Sequence, residues 1–303
     1  MEARTGISIK KKGGEEKPKL CKNLCTRDQN KGLIPNTKFL LAMSSYWALS
    51  GFSSERLRWL YEPASWATDL PSNATSETEG YGGSHQISDD GQTLTITPPA
   101  KKDFWRRTFY EPTMIKGDAS ALLCTVPADQ EATIEVTFSF TPVAQFDQAG
   151  LFVYLDRLHW LKTGIEFADG KSKLSVVCCN VFSDWSVMPW DANAARLRIH
   201  KVNQGTSVVV EANTIDGSES DWAFVRICHL SSMVAHCNMP ADEEPEVNGS
   251  AADADWQVGP FAACALAQQG CVGTFTQFEV GARKATAHEA GGNDFGEQGN
   301  SAL

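Results

Sequence analysis

The sequence predicts an all-β fold, a sandwich or a barrel made of many short strands. In the clearest segment, residues 132–140, apolar and polar side chains alternate, so that four apolar side chains from Ile134 to Phe140 share one face. Similar segments follow one another along the chain, and turn signals such as Asp169-Gly170 separate several of them. No long stretch has the 3.6-residue period of a helix. Many short strands at this spacing are typical of sandwiches and barrels.

Eleven segments carry this pattern and are the predicted strands: 92–97, 121–126, 132–140, 151–155, 160–167, 173–180, 196–202, 207–213, 222–229, 261–266 and 274–280. Residues 53–60 suggest one short helix. The acidic stretch 231–255 interrupts the strand rhythm, and we expect it to be an exposed loop inserted between two strands.

Length and composition predict one main domain with an extension at each end. Roughly 240 residues fit a single sandwich or barrel, and 42% hydrophobic residues are enough for a substantial core. We therefore expect a globular domain over residues 43–283, a disordered basic leader over 1–42 and a disordered tail over 284–303. Met43 is a candidate physiological start, which intact-mass measurement of the endogenous protein would test.

The net charge of −10 divides unevenly and argues against two classes of partner. Residues 1–38 hold ten Lys and Arg against four Asp and Glu, a charge of +6, which leaves −16 for the rest of the chain. An acidic body cannot neutralise phosphates, so neither nucleic acid nor an anionic membrane is an expected partner. No run of about 18 apolar residues is present, so no membrane span is predicted.

The nine cysteines do not read as a disulfide framework. Their number is odd, and Cys178 and Cys179 are adjacent in a predicted strand, where their side chains point to opposite faces. We interpret the cysteines as reduced, buried thiols of a cytoplasmic protein. The Cys-His pair at 228–229 and the His-Cys pair at 236–237 offer zinc-ligand types, but adjacent residues lack the usual spacing of ligand pairs. No metal or other cofactor is predicted.

One predicted strand face combines aromatic, basic and acidic side chains. In the strand 160–167, alternation places Trp160, Lys162 and Glu166 on one side and apolar residues on the other. If neighbouring strands align such faces, an aromatic platform with polar groups suits a polyhydroxyl or anionic small ligand. The alternative is a solvated face whose charges compensate one another across strands. The predicted ligand contacts are Trp160 as platform, Lys162, Glu166, Arg198 and Arg226 as polar partners, and Asp147, Gln148 and Asp184 at the rim.

Two further segments place an acid beside a large aromatic residue. They are Asp103-Phe104-Trp105-Arg106 and Ser183-Asp184-Trp185-Ser186. Either the tryptophan packs at the edge of the core while a neighbour caps a turn, or the group lines the mouth of a groove. The sequence alone leaves both readings open.

Six motifs in a fixed order carry a resemblance to a known family. They are Asp103-x-Trp105-Arg106, Asp147-Gln148-Ala149-Gly150, Trp160-x-Lys162-x-Gly164-Ile165-Glu166, Ser183-Asp184-Trp185-Ser186, an Arg-bearing strand near Arg226, and Val258-Gly259-Pro260-Phe261. Together they resemble the uncharacterised family whose fungal members are called regulation-of-enolase proteins, in the concanavalin A-like lectin/glucanase superfamily. The resemblance implies a jelly-roll β-sandwich of two antiparallel sheets, with the concave sheet as the usual ligand face. It implies no established activity.

These observations favour a noncatalytic binding module with a concave-sheet groove for a carbohydrate or sugar-phosphate-like ligand. The first alternative is a regulatory protein-interaction module of carbohydrate metabolism, which an exposed apolar patch around Trp185 and Trp190 would favour. The second is a glycoside hydrolase, which needs two carboxyl groups across the scissile bond. The run of acids typical of the superfamily's glucanases is missing, and Lys162 is expected to keep Glu166 ionised, which suits a general acid poorly.

Overall fold

Seventeen β-strands and one four-residue helix make up the part of the chain that the computed structural model describes, residues 47–61, 83–230, 254–266 and 270–290. The strands are β1 (Leu49–Ser50), β2 (Arg58–Trp59), β3 (Ser84–Ile87), β4 (Thr93–Thr97), β5 (Phe104–Arg106), β6 (Ile115–Gly117), β7 (Ser120–Val126), β8 (Ala132–Thr141), β9 (Asp147–Tyr154), β10 (His159–Ala168), β11 (Lys171–Asn180), β12 (Phe182–Pro189), β13 (Ala194–Val202), β14 (Ser207–Asn213), β15 (Ala223–His229), β16 (Trp256–Cys264) and β17 (Val272–Ala282), and the helix is α1 (Ala287–Ala290).

Two large antiparallel sheets form the sandwich. The back sheet has the order β15-β14-β13-β8-β17-β4-β3, with β1 also paired to β17. The front sheet has the order β12-β11-β10-β9-β16-β7-β2, and the hairpin β5–β6 is a small third sheet. Neighbours in these orders are often distant in sequence, as in β17 beside β8, which is the crossover pattern of a jelly roll. The predicted concanavalin A-like jelly-roll sandwich is confirmed.

The main core lies between the two sheets and follows from the alternation of side chains along their strands. Ile134, Val136 and Phe138 of β8 are buried in it, as their period-two spacing predicts. Leu161 and Ile165 of β10 meet them from the front sheet's inner face. Alternation therefore assigned the inner faces of both sheets correctly.

The front sheet is also buried on its outer face, because residues 103–118, which we call the covering hairpin, fold over it. Phe104 of β5 stacks on Phe152 of β9, with ring centroids 4.1 Å apart, and its ring lies 5.8 Å from that of Trp160. These rings belong to a second buried cluster that includes Trp105. The open face expected from the sequence is therefore largely closed, since apolar rings on both sides exclude water from it.

Each of the eleven predicted strands is present, with ends that shift by up to five residues. The short helix expected at residues 53–60 is wrong, because this stretch contains strand β2. Six strands were not predicted: β1, β2, β3, β5, β6 and β12. In β12 most side chains are exposed, so the apolar alternation that identifies a half-buried strand is weak there.

The predicted leader 1–42 and most of the predicted tail 284–303 lie outside the described residues. So does the acidic stretch 231–255, except for its last two residues. Residues 284–290 belong to the predicted tail, yet they pack on the back sheet. The Lys284 backbone N–H donates to Thr133 Oγ1 at 2.8 Å, and the Ala287 N–H donates to Glu211 Oε1 at 2.5 Å. The start of the predicted tail therefore contacts the back sheet at Lys284 and Ala287.

An ion-pair cluster lies on the outer face of the back sheet. Arg198 of β13 contacts Glu211 at 3.3 Å, Glu135 at 3.4 Å and Glu219 at 2.8 Å. Its guanidinium carbon also lies 3.8 Å from the centre of the Trp222 ring. Arg198 and Glu211 are both buried, whereas the Glu219 side chain is largely exposed, so the cluster has a buried charged centre and reaches the surface at Glu219.

Candidate functional site

A cavity of about 240 Å³ opens between the covering hairpin and the outer face of the front sheet. Strand β10 provides part of its floor, with Lys162 and Glu166, which lie four residues apart and therefore on the same face. The covering hairpin provides Asp103, Trp105 and further side chains described below. A water molecule occupies about 30 Å³ in the liquid, so the cavity has the volume of roughly eight waters and fits one small ring.

Buried polar groups converge at the floor of this cavity. Lys162 Nζ donates to Asp103 Oδ1 at 2.7 Å, and Gln148 Nε2 donates to the same oxygen at 3.0 Å. The Asp103 carboxylate also accepts the Phe104 backbone N–H at 2.7 Å. An ammonium group has three protons to donate, so Lys162 can serve a ligand while it holds Asp103.

Among the floor residues, Glu166 has a buried side-chain oxygen that accepts no hydrogen bond. Its side chain is buried, and its Oε2 has no hydrogen-bond partner among the described residues. Burial raises the pKa of the Glu166 carboxyl, although the Lys162 ammonium opposes this shift. The Lys162 ammonium thus favours the ionised form of Glu166, as expected, but desolvation of the carboxyl outweighs this attraction, so the net shift of the pKa is upward. An unpartnered buried polar atom beside a cavity is a natural ligand contact.

Aromatic rings form the walls above this floor. Trp185 of β12 meets Trp105 edge to face, with centroids 6.3 Å apart, and meets Phe146 in the same way at 6.3 Å. Tyr110 packs edge to face on Trp105 at 5.5 Å. Trp185 is oriented by its indole Nε1, which donates to Ser175 Oγ at 2.9 Å. The cavity thus joins apolar ring surfaces to a polar floor, the composition typical of small-molecule sites.

Replacing Glu166 with glutamine is expected to stabilise the protein near pH 7 and to change little below its ordinary pKa of 4.5. Because the folded-state pKa is raised, the native state holds this proton more tightly than the unfolded chain, and the associated stability is lost as pH rises through the folded pKa. Glutamine does not titrate. Urea unfolding at about pH 4 and about pH 7 measures the difference.

Glu279→Gln, at an exposed position of β17, is the control and should resemble the wild-type protein at both pH values. An equal effect of Glu166→Gln at both pH values would contradict the raised pKa.

The structure does not bring all the predicted ligand contacts together. Trp160 is buried beneath Phe104, so its expected role as an exposed platform is wrong. Gln148 bonds Asp103, a residue of the floor, but does not itself line the cavity. Asp147 instead accepts the backbone N–H groups of Val143 and Ala144, both at 2.8 Å, and thereby holds the turn that precedes β9.

The remaining three predicted contacts lie elsewhere in the sandwich. Arg198 belongs to the ion-pair cluster of the back sheet. Arg226 bonds Asp184 at 2.6 Å and Ser186 at 2.7 Å, at the edge where β15 and β12 come together. The alternation of side chains along a strand could not show that these residues lie away from the cavity. It tells which face of the strand a side chain is on, but not to which sheet the strand belongs.

Several cavity residues were missed as ligand contacts, although the sequence contained a signal for three of them. Asp103 with Trp105, and Asp184 with Trp185, were noted as acids beside large aromatic rings. The structure shows that both tryptophans and Asp103 line the cavity, whereas Asp184 points to the sandwich edge. No pattern indicated Tyr110, because its place depends on how the covering hairpin folds back.

Neither a metal centre nor a membrane helix is found in the described part of the chain. Within residues 47–61, 83–230, 254–266 and 270–290, no three His, Cys, Asp or Glu side chains are grouped to hold a metal ion. The His-Cys pair at 236–237 lies outside these residues. No helix among them is long and apolar enough to cross a bilayer.

The fold and the cavity define a concanavalin A-like β-sandwich with a ring-sized site on the outer face of one sheet. The family model described as "Protein of unknown function (DUF1349)" matches residues 83–283. Since this match covers well over half of the sequence, the chain belongs to that family. The resemblance inferred from the six ordered motifs is thereby confirmed.

Two fungal relatives are similar in sequence. The chain is 30% identical over 156 residues to "Regulation of enolase protein 1" of Saccharomyces cerevisiae, a match that covers 52% of this chain and 75% of the relative. It is 34% identical over 101 residues to "Uncharacterized protein AN7484" of Emericella nidulans, which covers 32% of this chain and 48% of the relative.

One solved structure, titled as a functionally unknown protein from Saccharomyces cerevisiae, has the same fold. It superimposes with a TM-score of 0.54 at 24% identity and covers 76% of this chain and 98% of its own.

Proposed function

We propose that this protein is a noncatalytic binding module that holds a carbohydrate ring, or a sugar-phosphate-like ligand, in the cavity under the covering hairpin. Glu166 and Lys162 are the polar contacts, Gln148 positions Asp103 beside them, and Trp105 and Trp185 are the ring surfaces. The name of the yeast relative supports a regulatory role over a metabolic one. The buried free cysteines fit a reducing compartment such as the cytoplasm.

The observation that carries this proposal is the unpartnered Oε2 of Glu166 on the floor of an aromatic-walled cavity. A buried polar atom without a partner costs free energy in the empty protein, and a ligand hydroxyl that bonds it removes that cost. Sugar rings combine apolar C–H faces, which pack on aromatic rings, with hydroxyls that bond polar groups. Neither a purely apolar nor a purely ionic ligand would match both parts of the cavity.

The charges of the floor favour a neutral sugar over a sugar phosphate. Lys162, the buried cation of the floor, is already bonded to Asp103 at 2.7 Å. Lys116, at the cavity wall, donates to the backbone carbonyl of Lys101 at 3.2 Å. With the Asp103 and Glu166 carboxyl groups beside it, a phosphate would meet as much negative as positive charge.

A thermal-shift screen of the full chain against hexoses, pentoses, oligosaccharides and hexose phosphates tests the proposal. A ligand that binds only the folded protein raises its Tm by mass action. Glu166→Ala and Trp185→Leu are each expected to weaken binding about ten- to hundredfold, since each removes about 1–3 kcal/mol of contact.

Asp184→Ala is the matched control, because it removes a carboxylate from β12 that points away from the cavity. It should leave the ligand-induced shift unchanged. A shift that survives Glu166→Ala would place the ligand elsewhere, and no shift with any sugar would refute the proposal. Any sugar that binds would also be tested for hydrolysis, since a carboxyl with a raised pKa is what a glycosidase acid needs.

A protein-interaction module is the second candidate, and one observation favours it. Phe182, Val187 and Met188 of the edge strand β12 are exposed large apolar side chains. Exposed apolar patches mark docking surfaces. By contrast, Trp190 packs against the main core and donates to the Ala194 carbonyl at 3.1 Å, so it is not part of such a patch. If no sugar binds, loss of a captured protein on Val187→Lys, but not on Ile115→Lys, would support this candidate.

A further inference from the structure

Two cysteines from opposite sheets meet at one edge of the sandwich. Cys178 lies on the inner face of β11 in the front sheet, and Cys228 lies on the inner face of the edge strand β15 in the back sheet. Both are buried free thiols. They are 50 residues apart in sequence and on strands of different sheets, so only the tertiary fold brings them together.

Hydrogen bonds hold these two strands in contact at this point. Cys178 Sγ lies 3.3 Å from the backbone carbonyl of His229, the residue that follows Cys228. Asn180, also on β11, donates to the same carbonyl at 2.9 Å. The Cys178 and Cys228 side chains interact with each other beside these contacts to His229.

The local charges differ from those around the other buried cysteines. The neighbouring Cys178 thiol lowers the pKa of Cys228, and the Arg226 guanidinium acts in the same direction, whereas burial and Asp184 oppose the shift. Burial raises the pKa of Cys124 and of Cys179 to about 12. Because thiolates, and not thiols, react with oxidants, we assign the first attack to Cys228.

We propose that Cys178 and Cys228 form a redox-sensitive pair that hydrogen peroxide converts into a disulfide between the two sheets. Cys228 gives up its proton, its thiolate attacks one peroxide oxygen and the O–O bond breaks. The leaving hydroxide takes up that proton, so a sulfenic acid and one water form. The Cys178 sulfur then attacks the Cys228 sulfur, the S–O bond breaks, and the hydroxyl leaves with the Cys178 proton as a second water. Two thiols and one peroxide thus yield one disulfide and two waters, and a dithiol reductant reverses the reaction.

The disulfide would fasten the edge strand β15 to the front sheet. Without it, the same edge is joined by side-chain contacts such as the Arg226–Asp184 ion pair, whose carboxylate is largely exposed and which contributes little stability on its own. A cross-link between distant positions restrains the unfolded chain and so raises the stability of the fold. The oxidised protein is therefore expected to unfold at a higher temperature than the reduced protein.

Peptide mapping of the full chain under non-reducing conditions tests this proposal directly. The folded protein is treated with hydrogen peroxide, its remaining thiols are blocked with N-ethylmaleimide, and it is then digested. The expected result is a Cys178–Cys228 linked peptide as the first disulfide to appear, with a loss of two hydrogen atoms in intact mass. The Tm should rise on oxidation and fall back on treatment with dithiothreitol.

Cys178→Ser and Cys179→Ser are the matched variants, since they are neighbours on β11 that face opposite sides of the sheet. Cys178→Ser should abolish the rise in Tm, and Cys179→Ser should keep it. A first disulfide at another pair, such as Cys264 with Cys271, would overturn the proposal, as would Cys228 accumulating as sulfinic acid without a cross-link. The peptide map of the unsubstituted protein decides the matter even if a variant folds poorly.

Discussion

Replacing Arg198 with methionine is expected to lower the free energy of unfolding by about 3–5 kcal/mol, because it leaves a buried carboxylate without its permanent cation. Glu211 is fully buried and lies 3.3 Å from Arg198. Its other charged neighbour is His200, whose Nε2 is 3.1 Å from Glu211 Oε2 and which carries a charge only when protonated. Methionine fills similar space but has no charge, so the effect reports the lost ion pair and the contact with Trp222.

Urea unfolding near pH 7 measures this loss, and Arg226→Met is the control. Arg226 is also an arginine on an outer strand with an ion pair, but its partner Asp184 is largely exposed, and the expected change is at most about 1 kcal/mol. If the two substitutions lowered the free energy of unfolding equally, the assignment of Arg198 to a buried charged centre would be contradicted.

The loss of stability expected for Arg198→Met should also depend on pH. Burial opposes ionisation of Glu211, but hydrogen bonds from His200 and the Ala287 N–H, together with the charge of Arg198, bring its pKa below the ordinary value of 4.5. A carboxyl with a depressed folded-state pKa adds stability above its unfolded pKa and loses it as pH falls through the folded pKa. The difference in unfolding free energy between wild type and Arg198→Met should therefore become smaller as the pH falls and Glu211 becomes protonated.

Truncating Phe104 to alanine is expected to cost about 3–5 kcal/mol and to loosen the covering hairpin. Phe104 is buried, stacks on Phe152 at 4.1 Å and covers Trp160. Its loss leaves a cavity between the hairpin and the front sheet, and it weakens the apolar contact that keeps Asp103 and Trp105 over the floor. We therefore expect a lower stability, faster proteolysis within residues 103–118 and weaker ligand binding in the same variant.

Phe109→Ala is the control for this prediction, since Phe109 lies in the same hairpin with 88% of its surface exposed. It should unfold at nearly the same urea concentration as the wild type. Urea unfolding and limited proteolysis compare the two variants. If they behaved alike, the hairpin would not be held by the stack on Phe152.

The sequence by itself determined eleven of the seventeen described strands and the faces of their side chains. Alternation placed Lys162 with Glu166, and it separated Cys178 from Cys179, which the structure finds in two different buried clusters. This success has a local cause: successive side chains of a strand point to opposite faces whatever the strand's neighbours are. The ordered motifs also identified the family, because each of them can be read without knowing the fold.

The tertiary structure decided which of the strand faces with charged and aromatic side chains lie next to each other. The expectations from the sequence failed at this point. Arg198 and Trp160 have similar local patterns, but pairing places one on the back sheet and the other on the front sheet. The covering hairpin then buries Trp160, and it brings Asp103 to Lys162 across 59 positions of sequence. The same hairpin helps to bury Glu166, and this burial raises its pKa despite the nearby Lys162 ammonium. Strand order, register and the resulting electrostatics depend on contacts between residues that are distant in sequence. A local pattern of residues does not predict such contacts.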